Sequence, residues 1–176
     1  MVHSIELTLD AAADAAVRDL WRAIAETGVR SQSAHRSPTN RPHVTLTVAA
    51  QMSDAVASDL APVAAGLPLA CRLGAPMIFG RGPYTLVLLV IPSAGLLDLH
   101  AQVNRICLPH MSSGPLGHTM AGQWTPHVTL ARRVDAGLLE RALGVVCTGV
   151  DIEGAFAGLR HWDGDARQEH PISVSG

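Results

Sequence analysis

The chain has 176 residues, 48% of them apolar and 16% charged, which excludes a disordered segment and a string of domains. Thirteen basic side chains, all arginine, face fifteen acidic ones for a net charge of −2, so a basic coat that grips nucleic acid along its length is excluded. Cys71, Cys107 and Cys147 are widely spaced with no C-x-x-C, which argues against a disulfide framework and a thiolate zinc site.

In chain order, Ile5 to Leu9 alternates apolar and polar residues and reads as a strand. Asp10 caps a helix with Val17, Leu20, Trp21 and Ile24 on one face, ended by Gly28. A polar loop, 29–42, leads to a strand over His43–Ala49. Ser53 opens a short helix that Pro62 stops or kinks. Strand-like sequence over 69–79, a turn at 80–83 and an apolar strand over 84–91 follow. Ser93 opens a helix bearing Leu96, Leu99, Val103 and Ile106, closed before Pro109. A Gly/Ser/His loop, 111–123, precedes a strand over 125–131 and a helix capped by Asp135. Residues 150–159 are strand-like, Asp163-Gly164 is a hairpin turn, and 171–174 form a last edge strand. No apolar run is long enough to span a bilayer and the start of the chain has no leader pattern, so a soluble, cytoplasmic protein is expected.

Pro42-His43-Val44-Thr45-Leu46 recurs as Pro126-His127-Val128-Thr129-Leu130, each copy in strand-like sequence after a polar loop. The repeat implies a duplicated β-α-β unit, with one His-x-Thr strand from each half. Strand side chains alternate faces, so His43 and Thr45 point one way and Val44 and Leu46 the other. His127 and Thr129 behave alike. Two such strands facing each other line one cleft with two imidazoles and two hydroxyls. Imidazoles on opposite sides of a phosphorus act as base and acid for in-line displacement, and hydroxyls bind the non-bridging oxygens. No metal is needed for this chemistry.

The paired motifs His43-Val44-Thr45-Leu46 and His127-Val128-Thr129-Leu130, with Trp124 before the second and Ala131-Arg132 after it, resemble the 2H phosphoesterase superfamily. The closer resemblance is to its 2′-5′ RNA ligase / RNA 2′,3′-cyclic phosphodiesterase branch. The first strand, Ser4–Asp10, departs from the aromatic-rich start usual in that branch. The resemblance implies an α+β, bilobal fold over 1–176, with antiparallel sheets lining a central cleft and helices outside. It implies hydrolysis of 2′,3′-cyclic phosphates to 2′-phosphates at an RNA terminus or on a nucleotide, with reversible 2′-5′ joining as a related reaction. It also implies no cofactor, His127 as base and His43 as acid. A non-catalytic nucleotide-binding module of the same fold is the alternative, and a monomer is expected.

Around these four residues the candidate substrate contacts are Arg132, Arg133, Tyr84 and Trp124. Strict alternation puts Arg133 on the face of His127, whereas a bulge would put Arg132 there; the family pattern matches Arg132. Tyr84 and Trp124 are candidates for stacking on a base. Phe79 and Phe156 are expected in the core. His161-Trp162-Asp163-Gly164-Asp165 superficially suggests a metal loop, but a polar hairpin turn explains it better.

Overall fold

The computed structural model describes residues 2–148 and 151–173. Its strands are β1 (His3–Leu9), β2 (His43–Ala49), β3 (Leu69–Phe79), β4 (Tyr84–Val90), β5 (His127–Val134), β6 (Ile152–Asp163) and β7 (Gln168–Ile172). Its α-helices are α1 (Ala11–Glu26), α2 (Val56–Ala64), α3 (Ala94–Cys107) and α4 (Ala136–Val146). None of these helices is long and apolar enough to cross a membrane.

The expected α+β architecture is present, but as one antiparallel seven-stranded sheet in the order β2-β1-β6-β3-β4-β5. β6 is the joint. One of its edges pairs with β1; the other pairs first with β3 and then with β7. The sheet curls until its end strands, β2 and β5, approach each other. Alternate strand residues, among them Ile5, Leu7, Leu46, Leu88 and Leu130, are fully buried and pack in one apolar core with the helix residues Val17, Ile24, Leu60 and Leu96. The opposite face of the strands carries the polar residues of the cleft.

Local sequence explains most of the elements. Asp10 accepts the Ala13 N–H at 2.9 Å and so caps α1. Its other carboxylate oxygen accepts the N–H of Ala155, tying the helix start to β6. Gly154 completes that junction: a Cβ there would lie 2.7 Å from the Ala13 Cβ. Ser93 caps α3 through the Leu96 N–H at 3.2 Å.

Several sequence boundaries move. Pro62 does not stop α2, which runs on to Ala64. Its ring and the Ser58 residue whose carbonyl it leaves unbonded are both exposed, so water replaces the lost bond. Asp135 stands at the start of α4 without a side-chain cap bond. β5 continues past Ala131 to Val134, and β6 runs to Asp163. β7 lies at 168–172 rather than 171–174; Val150 and Val174, which the sequence placed in strands, lie outside the described residues.

Candidate active site

The two pentapeptides fold alike down to single hydrogen bonds. His43 Nδ1 donates to the Arg41 carbonyl at 2.7 Å, and His127 Nδ1 donates to the Thr125 carbonyl at 2.7 Å. Each ring therefore carries its neutral-state proton on Nδ1 and turns Nε2 toward the cleft. Pro42, Val44 and Leu46 are buried, as are Pro126, Val128 and Leu130, while both His and both Thr are half-buried. Both strands also bulge at the same place. The β1–β2 register skips Leu46, and the β4–β5 register skips Leu130. The repeat is thus structural as well as sequential.

That second bulge settles the arginine parity. After it, Ala131 returns to the core and Arg132 takes the cleft side, where it lines a cavity with His43, Glu6 and Arg160. Arg133 lies one residue further in the left-handed region, at φ 56°. It lines the neighbouring concavity with Arg30 and Arg132.

The free edges of the curled sheet are covered crosswise. The Trp21 indole, from α1, donates to the Thr129 carbonyl on β5 at 3.0 Å. The Trp124 indole, just before β5, donates to the Thr45 carbonyl on β2 at 2.9 Å. Trp124 also stacks on His100 of α3, with centroids 3.8 Å apart and planes 2° from parallel. His100 Nε2 in turn donates to the Leu46 and Thr119 carbonyls, at 3.1 and 2.9 Å. Each His-x-Thr strand is propped by an indole from the other half of the sequence.

The aromatic expectations are partly reversed. Tyr84 shares the parity of Leu86 and Leu88 and packs on the core, opposite Val134 and away from the histidine end of β5. Phe79, expected in the core, instead meets the His127 ring edge-on at 4.9 Å. It lines a cavity of 560 Å³ with Thr45, Val48, Trp124 and His127. Strand β3 puts Phe79 opposite Thr85, of opposite parity to the core-facing Leu86, which the lone sequence signal of a Phe in an apolar run does not reveal. Phe156 is buried as expected.

Glu6 and Arg160 are the residues that sequence reasoning missed. Ser4, Glu6 and Thr8 form the polar alternate set of β1, and a carboxylate within that apolar strand was the available signal. Glu6 is 5% exposed and receives bonds from Arg160 Nε at 2.9 Å and the Ser4 hydroxyl at 2.6 Å. One of its oxygens lies 3.7 Å from His43 Nε2. Burial alone would raise the Glu6 carboxyl; the charges of His43 and Arg160, with the bonds from Ser4 and Arg160, outweigh it and hold it below its ordinary range. Arg160 also bonds Glu169, which pairs with Arg41 at 2.9 Å. The Arg41 guanidinium is therefore engaged by a carboxylate.

His127 has a different electrostatic setting. Burial is the main influence lowering its pKa, with Arg132 and His43 acting in the same direction against the Thr125 hydrogen bond. An imidazolium at His43 would face a carboxylate; one at His127 would face an arginine and an apolar wall.

Outside the cleft, His3 Nε2 meets Asp165 at 3.3 Å and His3 Nδ1 meets His161 Nε2 at 3.2 Å. The turn between β6 and β7 is stabilised from within, because Asp163 accepts the N–H groups of Asp165 and Ala166 at 2.8 and 3.0 Å.

Comparison with known proteins places this geometry. No match is found among curated protein sequences. Kluyveromyces marxianus Usb1 superposes over 98% of this chain and 98% of its own, with a TM-score of 0.54 and 14% identity. Its structure with uridine monophosphate gives 0.53 and 11% over the same shares. Escherichia coli LigT complexed with 3′-AMP covers 98% of this chain and 94% of its own at 13% identity, with a TM-score of 0.48. The likeness to Usb1 is one of fold. The sequence pattern described as the 2′-5′ RNA ligase superfamily matches residues 9–166, which include both His-x-Thr strands. The chain belongs to the 2′-5′ RNA ligase superfamily of 2H phosphoesterases.

Proposed function

We propose that the protein is a metal-independent phosphodiesterase that opens 2′,3′-cyclic phosphates of RNA ends or nucleotides to 2′-phosphates, and that the same site supports reversible 2′-5′ joining. The observation that carries this reading is the matched pair of 2.7 Å Nδ1 bonds, which leaves two imidazole Nε2 atoms directed into one cleft. His127, the ring with the depressed pKa, takes a proton from water as its oxygen attacks phosphorus. The bond from phosphorus to O3′ breaks, and His43 Nε2 delivers its proton to that oxygen. The products are a 2′-phosphate and a free 3′-hydroxyl. Thr45 and Thr129, each two residues past a histidine, donate to the non-bridging oxygens where charge gathers. Arg132 adds a fixed positive charge at the rim. Phe79 and Trp124 supply the apolar wall for a base or ribose.

The test is a panel of 2′,3′-cyclic nucleotides, cyclic-ended RNA and 2′-5′-linked oligonucleotides, assayed in excess EDTA and scored for the oxygen that keeps the phosphate. Turnover to 2′-phosphates is expected, and His43→Ala and His127→Ala are each expected to lose about 10²- to 10⁴-fold in kcat. Wild-type rates in both variants would overturn the assignment. Tight mononucleotide binding with no product from any substrate would instead make the protein a binding module.

A further inference from the structure

The cleft continues past the histidines into a second concavity whose side chains, Arg132 apart, have no role in the chemistry above. It is lined by Arg30, Ser31, Gln32, His35, Arg132 and Arg133, and it shares Gln32, His35 and Arg132 with the cavity at His43. No carboxylate lines it. Its arginines share the lack of an ion pair with Arg36, Arg81, Arg105, Arg141 and Arg167 among the described residues; what sets them apart is that all three line one hollow. Arg18, Arg22, Arg41, Arg72 and Arg160 each pair with an Asp or Glu. Arg30, Arg132 and Arg133 have no carboxylate partner among the described residues, although the chain as a whole is net negative and has acidic groups to spare.

This arrangement is built rather than incidental to a loose loop. Ser31 bridges to Ala131 as an added strand position, and its hydroxyl donates to the Trp21 carbonyl at 2.6 Å. Asn40 pins the following turn by donating to the Gln32 and His35 carbonyls, both at 2.9 Å. Arg30 is thus held beside the end of β5, where Arg132 and Arg133 project. Arg133 adopts φ 56°, a backbone state that costs a non-glycine residue of order 1 kcal/mol and persists where the surroundings impose it. Three guanidinium groups with free donors around one hollow form a site for an oxyanion with several oxygens, because planar N–H forks match phosphate geometry.

We propose that Arg30, Arg132 and Arg133 form a second phosphate subsite, which selects substrates carrying another phosphate one linkage away from the one that reacts. This rests on the phosphodiesterase reading and narrows its substrate class from a bare nucleoside cyclic phosphate to a phosphorylated or oligomeric one. A 5′-phosphomonoester and an internucleotide phosphodiester offer the same oxyanion, so the experiment includes both.

Three substrates with one base are compared at low salt: the nucleoside 2′,3′-cyclic phosphate, its 5′-phosphorylated form, and the dinucleotide ending in the same cyclic phosphate. The subsite predicts that at least one second-phosphate substrate exceeds the bare one in kcat/KM by about tenfold or more, the size of one charge-assisted contact. The preference should fall below about threefold in Arg30→Ala and in Arg133→Ala, and should shrink with added salt. An advantage confined to the dinucleotide identifies the phosphodiester; one shared by the monoester identifies any 5′-phosphate. A ratio near one in the wild type, or a ratio unchanged in both variants, overturns the subsite while leaving the phosphodiesterase reading intact. If none of the three is turned over, that reading fails and equilibrium binding decides the subsite. A 5′-phosphorylated dinucleotide should then bind more tightly than its unphosphorylated form, and Arg30→Ala should abolish the difference. Equal binding of the two would overturn the subsite.

Discussion

His43 and His127 sit in the same local frame, yet their surroundings differ in charge. The ring nitrogen facing the cleft looks at the Glu6 carboxylate in one case and feels the Arg132 guanidinium in the other. In the role proposed for it, as base, His127 must be neutral to act, so activity should rise with pH through its titration, whose midpoint is held below the ordinary value of 6.5. Removing the Arg132 charge removes one cause of that depression. In Arg132→Ala the acid limb of the kcat/KM profile should therefore move up toward 6.5; a limb that stays in place would deny the coupling. Thr47 offers a residue-scale test unconnected with catalysis. It is fully buried and its hydroxyl has no hydrogen-bond partner among the described residues. Valine keeps its shape and removes the orphaned group, so Thr47→Val should raise stability by about 1 kcal/mol. The reading is a higher urea midpoint with an unchanged m-value.

At the scale of elements, the strands and helices were legible because their apolar periods are regular, and the misreadings have local causes. Pro62 was read as a stop or a kink, and a stop follows only when the freed carbonyl has nowhere to go; on an exposed face it has water. Strict alternation favoured Arg133, and the Leu130 bulge gave the cleft side to Arg132 instead. Nothing within Thr-Leu-Ala-Arg-Arg announces a bulge, whereas the family pattern carried that information. Tyr84 and Phe79 stand on the opposite faces from those expected because the pairing partner of a strand residue, which sets its face, comes from distant sequence. Glu6 escaped notice because its meaning depends on Arg160, 154 residues away. The junction of α1 with β6 gives a prediction at this scale. The Ala13 Cβ that faces Gly154 is fixed by the helix, so Gly154→Ala must push α1 off the sheet. Overpacking of this kind costs about 1–3 kcal/mol, measurable by thermal or urea unfolding. Stability equal to that of the wild type would mean that the helix shifts freely.

The whole molecule has an acid-sensitive interior. His100, His127 and His161 are all held below their ordinary pKa, each chiefly by burial. For His161 the charges of His3 and His170 add to the effect. Each folded-state pKa lies under the unfolded one, so below about 6.5 the unfolded chain binds more protons than the native protein. The stabilisation from these three groups is complete above that pH and is lost as pH falls through their folded-state values. Unfolding free energy measured in urea should decline steadily from pH 7 to pH 5; a flat profile would contradict the assignment of these rings as kept neutral by desolvation.

The crosswise indoles carry a last consequence, for how the chain can be divided. Trp21 supports Thr129 and Trp124 supports Thr45, so each repeat unit contains the prop for its sibling and lacks its own. If the two units began as equal copies, their exchange of supports ended their independence. Cutting the chain between β4 and α3 would give two fragments, each with a His-x-Thr strand whose threonine carbonyl faces an unfilled edge. Neither piece should form a half-site alone. Mixing the two should restore the site only through mutual insertion of the tryptophans, which makes this small protein an obligate pair held on a single thread.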